Sequence, residues 1–253
     1  MKVLATCHVH SNWSYDGSWS LDSLSEKFQK RGCQVLMMTE HDKGFTSGRL
    51  AEYREACDKV SSENILVVPG IEYSDADNRV HVLVWGPVPF LGENLPTSEM
   101  LHKARASDGL AVLAHSSRRE AWKTFEPAWA DELLGIEVWN RKYDGWAPST
   151  TAPALLKKTG LTPFVGLDFH TQRQSFPLTM ALDVDGIITE ENVLKSLRLS
   201  RCTPQVFGRD LSENQIHGGH PILDLAEKGR RAIASLARRS KASASRRASA
   251  KKS

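Results

Sequence analysis

Two histidines near the start of the chain have a spacing that suits the binding of one metal ion. His8 and His10 follow the apolar residues 3–7, which predict a short buried strand. Side chains two residues apart point to the same face of a strand, so both imidazoles can reach one cation. Taken alone, the pair fits a core or surface position as well as a metal site.

Four further apolar segments end in residue types that bind metals. Imidazole and carboxylate ligands together favour Zn, Mn or Fe over Ca or Mg, which prefer oxygen. Ions about 3.5–4 Å apart can activate a shared water and stabilise both oxygens of an in-line displacement at phosphorus. The segments are 35–39 before Glu40, His41 and Asp42, 65–71 before Glu72, 110–114 before His115, and 163–167 before Asp168 and His170.

Other polar residues have two possible uses. His81 lies within an apolar strand and fits either a hydrogen-bonded core histidine or a ligand. Arg118 and Arg119 follow His115 and suit either a solvated helix start or the binding of phosphate oxygens. Arg141 follows another predicted strand and is expected at the same rim.

Several residues with suitable chemistry are expected to be incidental. His102 lies among charged neighbours in a predicted helix, while His217 and His220 lie in a Gly-rich loop. Cys7 should point away from the neighbouring histidines and fill the core. Four tryptophans near predicted strand ends suit core packing or the stacking of a base or sugar, namely Trp13, Trp19, Trp139 and Trp146.

Strands and helices alternate along the chain, which favours parallel strands joined by crossover helices. Helices are predicted over 21–31 with Ser20 as N-cap, 49–60, 97–105 with Thr97 as N-cap, 152–159 before Gly160, and 190–199 with Thr189 as N-cap. In such folds the carboxyl ends of the strands carry the reactive groups.

Length and composition predict one catalytic domain and a tail. The 253 residues are 40% hydrophobic, which allows a sizeable core. We expect a hydrolase domain over 1–222, followed by a helix and a low-complexity tail over 223–253. Residues 228–253 contain ten basic residues and no acidic one, although the formal charge of the whole chain is only +3. An acidic body therefore carries a basic tail.

The sequence favours a cytoplasmic protein. No run of about 18 apolar residues could span a membrane, and the N-terminus lacks the features of a signal peptide. The four cysteines are scattered without a Cys-x-x-Cys pair, which fits reduced thiols.

In their order along residues 3–207, these motifs resemble the polymerase and histidinol phosphatase (PHP) family of metal-dependent phosphoesterases. Glu40 stands where the family usually has Asp, at a position that orients ligands rather than binding metal. The interval between His10 and Asp16 is one residue longer than the commonest form. The motifs are His8-x-His10 with Asp16-Gly17, Thr39-Glu40-His41-Asp42, Pro69-Gly70-Ile71-Glu72, His81 in Val80-His81-Val82-Leu83, Ala114-His115, and Gly166-Leu167-Asp168-Phe169-His170.

The resemblance implies an α/β fold, a distorted (β/α)7 TIM-like barrel. The basic C-terminal tail has no counterpart in the family, and its low-complexity composition predicts a disordered or partly helical segment. It implies two or three divalent ions, Mn, Zn or Fe, with Glu72 bridging two of them. Asp168 or His170 could pass a proton to the leaving group, and Arg118, Arg119 and Arg141 could bind substrate. The implied metal ligands are His8, His10, Asp16, His41, Glu72, His81, His115, Asp168 and His170.

The leading hypothesis is a phosphoesterase in which a metal-bound hydroxide attacks phosphorus in a small phosphorylated metabolite or nucleotide. One alternative is a PHP-type nuclease that holds nucleic acid through the basic tail. Another is a non-catalytic, metal-stabilised binding module whose tail binds nucleic acid or an acidic partner. No membrane partner is expected.

Overall fold

Twelve strands in the described part of the chain form two six-stranded sheets. The computed structural model describes residues 1–218 and 221–250, without the side chains of Glu213, 217–218 and 236–250. The sheet orders are β12-β11-β10-β1-β2-β4 and β3-β5-β6-β7-β8-β9. The strands are β1 (Lys2–Val9), β2 (Val35–Met38), β3 (Glu40–His41), β4 (Leu66–Val68), β5 (Gly70–Ser74), β6 (His81–Trp85), β7 (Leu110–Leu113), β8 (Gly135–Asn140), β9 (Thr162–Gly166), β10 (Leu178–Asp183), β11 (Cys202–Val206) and β12 (Arg209–Asp210).

Helices connect most of these strands. Short 3-10 helices occupy Arg118–Thr124, Pro127–Asp131 and Gln172–Gln174. The α-helices are α1 (Leu21–Gln29), α2 (Ser47–Val60), α3 (Thr97–Ala106), α4 (Ala152–Thr159), α5 (Glu190–Arg198), α6 (Glu213–Gly218) and α7 (Pro221–Ala250). The α/β class predicted from the sequence is therefore confirmed.

The second sheet is connected to the first sheet at both of its own edges, near β3 and after β9. Only Thr39 separates β2 from β3, and only Pro69, which has no N–H to donate, separates β4 from β5. At the opposite edge, the segment after β9 binds β1, because the Leu167 N–H donates to the Cys7 carbonyl at 3.0 Å. The Phe169 N–H donates to the His8 carbonyl at 3.1 Å in the same seam. With β2 and β3 counted as one strand position and β4 and β5 as another, there are seven positions from β1 to β9. The hydrogen bonds from Leu167 and Phe169 link the segment after the seventh position to the first.

The prediction of uniformly parallel strands is wrong for part of the fold. The pairs β1–β2, β2–β4, β3–β5, β7–β8 and β8–β9 are parallel. β6 runs antiparallel to both β5 and β7, and β10 runs antiparallel to β1. The link from β5 to β6 spans only residues 75–80 and contains no helix, so it is too short for a parallel crossover.

The helix ends test the capping predictions. The Ser20 and Thr189 side chains accept N–H bonds from the first turns of α1 and α5, and Gly160 ends α4 in the left-handed region, as predicted. Thr97 is not an N-cap. Pro96 occupies that position without a side-chain hydrogen bond, and Thr97 is already helical and buried.

Large side chains fill the space between sheets and helices. Trp85 and Phe164 are each 1% exposed. The Trp85 indole Nε1–H donates to the Met38 carbonyl at 2.8 Å, which satisfies its polar atom inside the core. The described part of the chain contains no helix with the length and apolar character needed to cross a membrane.

The Trp85 contact makes Gly70 a sensitive position. A Cβ atom at residue 70 would lie 2.4 Å from Trp85 Cδ1 and 2.5 Å from the Met38 carbonyl oxygen. We expect Gly70→Ala to lower the free energy of unfolding by about 3 kcal/mol, because overpacking forces the core apart. Urea denaturation followed by tryptophan fluorescence measures the change.

Gly48→Ala is the matched control. The nearest atom to a Cβ there is Thr46 Oγ1 at 3.9 Å, and residue 48 lies in α2. This change should raise the free energy of unfolding by about 0.5 kcal/mol, because alanine loses less backbone entropy. Equal effects of the two substitutions would contradict the packing explanation.

Candidate metal centre

The buried carboxylate of Glu72 lies at the centre of the polar cluster. Glu72 is 1% exposed and belongs to β5, and five imidazoles approach its two oxygens. Their distances from Oε1 are 2.7 Å for His81 Nδ1, 2.9 Å for His115 Nε2 and 3.4 Å for His8 Nε2, and from Oε2 they are 3.1 Å for His41 Nδ1 and 3.4 Å for His10 Nε2.

A second buried carboxylate, Asp168, closes the inner side of the cluster. Its Oδ1 lies 3.2 Å from His170 Nδ1, 3.7 Å from His10 Nε2 and 3.8 Å from His8 Nε2. Its Oδ2 lies 3.9 Å from His115 Nε2. Asp168 follows β9 in the segment that binds β1, so the seam between these strands brings the two ends of the domain together at the site.

Asp16 lies at the outer side of the cluster. Its oxygens lie 3.3 Å from His41 Nε2 and 3.2 Å from His170 Nε2. The Asp16 side chain is 38% exposed, whereas those two imidazoles are nearly buried. The structure therefore brings together all nine residues that the sequence indicated as ligands, with Asp16 on the solvent side.

The backbone at the strand ends differs from the simple alternation that the sequence suggested. His8, His115 and Asp168 have φ values of +59°, +21° and +49°, which non-glycine residues rarely adopt. The β1–β2 register shifts between Cys7 and Val9, so His8 lies in a bulge. His8 and His10 converge through this bulge rather than through a regular strand face. Such backbone strain clusters at functional sites.

The donor atoms fit divalent ions. Three groups offer ligand atoms within 4.8 Å of one another, and all their residues are buried. Among the described residues, His8 Nε2, His10 Nε2 and Glu72 Oε2 are buried atoms with no hydrogen-bond partner. Mixed imidazole and carboxylate donors suit Zn, Mn or Fe. The groups are His8 with Glu72 and His115, His8 with His10 and Asp168, and His10 with His41 and His170.

Burial and mutual charge shift the pKa values in this cluster. Burial alone would raise the pKa of Glu72, but the imidazoles around it, led by His81 and His8, hold it well below its usual range. Burial lowers the pKa of His10, and the neighbouring His41 and His170 lower it further. A neutral His10 beside an ionised Glu72 is the protonation state that a metal ligand needs.

Glu137 supports two of the candidate ligands, a role that the sequence did not identify. Its Oε1 lies 2.8 Å from His8 Nδ1, and its Oε2 accepts the His115 N–H at 2.8 Å. Asn140 Nδ2 donates to Oε2 at 2.9 Å. A carboxylate bound to the far nitrogen of a ligand histidine fixes its orientation and tautomer. Glu137 faces inward and is 1% exposed.

Gly166 makes room for Glu137. A Cβ atom at residue 166 would lie 1.8 Å from Glu137 Oε1, so only glycine fits beside the carboxylate.

Glu40 has a similar supporting position and accepts hydrogen bonds from Ser11 Oγ at 2.6 Å and Ser14 Oγ at 2.5 Å. Glu40 thus stabilises the loop after β1, as expected for a residue that orients ligands.

Lys142 is a further site residue that the sequence did not single out. Its Nζ donates to Asp168 Oδ1 at 3.1 Å and lies 3.3 Å from His170 Nε2. The adjacent Tyr143 ring lies 4.7 Å from the His115 ring. The only signal in the sequence was that Lys142 and Tyr143 follow closely after a predicted strand, which is β8 in the structure. Several other residues of the same loop have that position without contacting the cluster.

The three predicted substrate-binding arginines have different surroundings. Arg118 donates through Nε to the Tyr143 hydroxyl at 3.0 Å and lines a cavity of about 340 Å³ at the mouth of the site. Asp16, His41 and Lys142 line the same cavity. Arg119 and Arg141 lie outside it. All three arginines donate to backbone carbonyls, Arg118 to that of residue 78, Arg119 to those of residues 77 and 78, and Arg141 to that of residue 173.

The aromatic and cysteine residues mostly belong to the core. Trp139 is fully buried, and Trp13 and Trp19 pack against the core while partly exposed. Trp146 is 37% exposed. Cys7 is buried, and its Sγ lies 3.7 Å from Met37 Sδ. The side chain of His217, and the whole of His220, lie outside the described residues.

Glu137→Gln tests whether this carboxylate supports a metal site. We expect the affinity for Mn or Zn to fall about 10–100-fold, because the amide cannot give His8 the same charged partner. Isothermal titration calorimetry on metal-depleted protein measures the affinity. The fold should persist, since the two side chains have nearly the same volume.

Glu126→Gln is the control, because Glu126 is exposed and lies outside the cluster. It should leave the affinity unchanged. A Glu137→Gln protein that binds metal as tightly as the Glu126→Gln protein would refute the supporting role.

Comparisons with known proteins agree with this geometry at the level of the fold. No family model matches the sequence, and no curated protein matches it. Among solved structures, a two-domain protein from Bacteroides vulgatus that contains a predicted PHP-like metal-dependent phosphoesterase is 17% identical, with a TM-score of 0.63. The match covers 81% of this chain and 65% of that one. The chain therefore spans 65% of the length of that protein.

Two other matches have comparable scores. PsfC from Pseudomonas syringae is 15% identical with a TM-score of 0.60, and the match covers 92% of this chain and 99% of that one. The lesion-specific endonuclease PfuEndoQ from Pyrococcus furiosus is 17% identical with a TM-score of 0.57, covering 78% and 56%. This chain has the fold of PHP-like metal-dependent phosphoesterases, which supports the resemblance read from the motifs.

Proposed function

We propose that the protein is a metal-dependent phosphoesterase that hydrolyses a small phosphorylated metabolite or nucleotide. The observation that carries the proposal is the convergence of the nine candidate ligands in one cluster with Glu72 at its centre, and with Lys142 and Arg118 at the mouth. A purely structural histidine cluster would not need unpaired buried nitrogens. Cations beside the cluster suit a phosphate, whose oxygens carry negative charge.

The nine ligands would hold two or three divalent ions, Mn, Zn or Fe. Glu72 reaches imidazoles on both sides through its two oxygens, which suits a bridge between ions. When bound, such ions lower the pKa of a water molecule and neutralise charge on phosphoryl oxygens. Glu137 and Glu40 would keep the ligands in place.

Protein groups around the cluster would perform the remaining steps. Lys142 and Arg118 would bind phosphate oxygens and orient the phosphorus toward the ligands. Asp168 or His170 would deliver a proton to the leaving oxygen. A mouth cavity of about 340 Å³ is the size of a small ligand site. Arg119 and Arg141 remain candidates for binding more distant parts of a substrate.

We infer that the seven strand positions form the distorted (β/α)7 TIM-like barrel implied by the motifs. The connections through Thr39 and Pro69 and the hydrogen bonds from Leu167 and Phe169 support a closed ring. On this proposal, residues 1–222 form the hydrolase domain and residues 223–253 form an added basic segment.

A nuclease is the second candidate function, and the position of α7 favours it. This helix lies beside the mouth, where Glu227 accepts the Trp146 N–H at 3.0 Å. A polyanionic strand held by the basic segment could therefore reach the ligand cluster. The endonuclease fold among the matches is compatible with this alternative.

The test is hydrolysis of a panel of phosphate esters by metal-depleted protein supplied with Mn, Zn or Fe. The panel contains p-nitrophenyl phosphate, nucleoside mono- and bisphosphates, and a labelled oligonucleotide. We expect turnover of a phosphate ester that a chelator abolishes and added metal restores. Protein that binds metal but leaves every ester intact would instead be a binding module.

Lys142→Met tests the proposed phosphate contact. We expect kcat for the best ester to fall about 100-fold, because a cation aimed at the reacting group is lost. Lys43→Met is the matched control, since Lys43 lines the same cavity but contacts none of the candidate ligands. Its kcat should change less than about threefold. Equal losses in the two variants would refute a specific role for Lys142.

A further inference from the structure

The C-terminal helix α7 forms one wall of a large groove next to the candidate metal centre. The groove has a volume of about 950 Å³ and shares Arg118 and Tyr143 with the mouth cavity. The groove is therefore adjacent to the mouth cavity above the ligand cluster. The cations that line it are Arg118, Arg119, Lys228 and Arg231.

Glu227 fixes α7 to the loop that carries Lys142 and Tyr143. The buried Glu227 carboxylate accepts hydrogen bonds from the Trp146 N–H at 3.0 Å and from Arg231 Nε at 2.6 Å. A Cβ atom at Gly145 would lie 2.4 Å from Glu227 Cδ, so glycine permits the close approach. Arg231 also donates to the Asp144 carbonyl at 3.1 Å. The helix therefore has a defined position relative to the centre.

Of the acidic groups that line the groove, Glu227 is paired with arginines, whereas Asp144 is held by neutral donors. Burial of Glu227 would raise its pKa, but hydrogen bonds from Arg230 and Arg231 lower it to about 2. Asp144 accepts hydrogen bonds from Ser117 Oγ at 2.7 Å and from the Asn140 N–H at 2.8 Å. Asp224 is the third acidic residue of the lining. Arg119 and Lys228 keep the groove attractive to anions.

Beyond Glu227 the sequence contains ten basic residues and no acidic one. Arginine pairs recur every eight residues, at 230–231, 238–239 and 246–247. A helix rises 1.5 Å per residue, so the pairs begin about 12 Å apart along the axis of α7. Positive charge thus continues along the helix axis from the groove.

The composition of the basic C-terminal segment favours a nucleic acid over a membrane surface or an acidic protein as its partner. Residues 237–253 contain only Ala, Ser, Lys and Arg, so they offer no large apolar side chain. Membrane-surface helices insert Trp, Phe or Leu between lipids, and protein interfaces depend on buried aromatic or aliphatic anchors. A nucleic acid needs neither, because its regularly spaced phosphates bind through charge alone.

We propose that α7 is a nucleic-acid-binding arm that guides a single strand along its basic pairs into the groove beside the metal centre. This deepens the nuclease alternative of the proposed function and rests on the same reactive centre. Glu227 acts as the positioning residue that holds the arm against the loop of Lys142. The phosphates would contact the arm without regard to base sequence.

The test compares two full-length variants with the same change in charge. The arm variant is R238Q/R239Q/R246Q/R247Q. The control is K30Q/K59Q/K103Q/K123Q, whose lysines lie on the body and pair with nearby glutamates. The probe is a labelled single strand of about 20 nucleotides, with phosphorothioate links that keep the charge and resist cleavage.

Fluorescence anisotropy in the presence of Mn gives the affinity between about 50 and 200 mM salt. Over this range the affinity of the native protein should fall up to about 50-fold more than that of the arm variant, since each lost contact removes counterion release. The body control should behave like the native protein. Equal salt dependence in all three proteins would refute the arm.

Two competitors test the identity of the partner. Vesicles of phosphatidylserine and soluble polyglutamate should displace the strand only weakly at equal charge concentration. Displacement as effective as that by unlabelled DNA would refute a nucleic-acid arm and favour a membrane or an acidic protein.

Hydrolysis of p-nitrophenyl phosphate separates this inference from the proposed function. The arm and control variants should both keep the native rate, because neither change touches the ligand cluster. If the protein hydrolyses this ester but strand binding is the same with and without the arm arginines, the arm alone is overturned. Arm-dependent binding in a protein that hydrolyses no ester would overturn the proposed function and leave the arm supported.

Discussion

The site depends on one buried negative charge. Glu72 lies inside the protein with 1% exposure, where an isolated carboxylate would be strongly disfavoured. Five imidazoles surround it, two from β1 and its end and one each from β3, β6 and the segment after β7. Their charge and hydrogen bonds offset the cost of burial, so the carboxylate and the histidines require each other. The order of the strands in the two sheets is what makes this arrangement possible.

The structure brings the candidate ligands together, and the sequence indicated this convergence for a simple geometric reason. Chemically capable residues stood at the ends of apolar segments, and such ends meet at one mouth when strands are parallel. The sequence wrongly predicted a regular strand at His8, but the candidate ligands still converge. His8 reaches the centre through a bulge rather than a regular strand, yet the side chain still points inward.

The supporting residues were harder to predict because their role depends on distant neighbours. Glu137 and His8 are 129 residues apart, and no local pattern indicates that their side chains meet. Lys142 was one of several polar residues in a loop, and only the folded loop shows which of them turns inward. The antiparallel direction of β6 was also not predicted. It follows from the short connection between β5 and β6, and the periodicity of apolar residues in a strand carries no information about it. Thr97 was mistaken for a cap because Pro96, which lacks a capping side chain, takes that place.

The seam between β9 and β1 has a consequence for how the protein folds. Cys7 and His8 accept hydrogen bonds from Leu167 and Phe169, and the two segments joined there each carry two of the candidate ligands. Ions held there would cross-link the first ten residues to a segment far along the polypeptide. Cation binding and formation of this seam are then thermodynamically linked, so the free energy of one contributes to the other. Loading the ions would therefore stabilise the pairing of these two segments against separation.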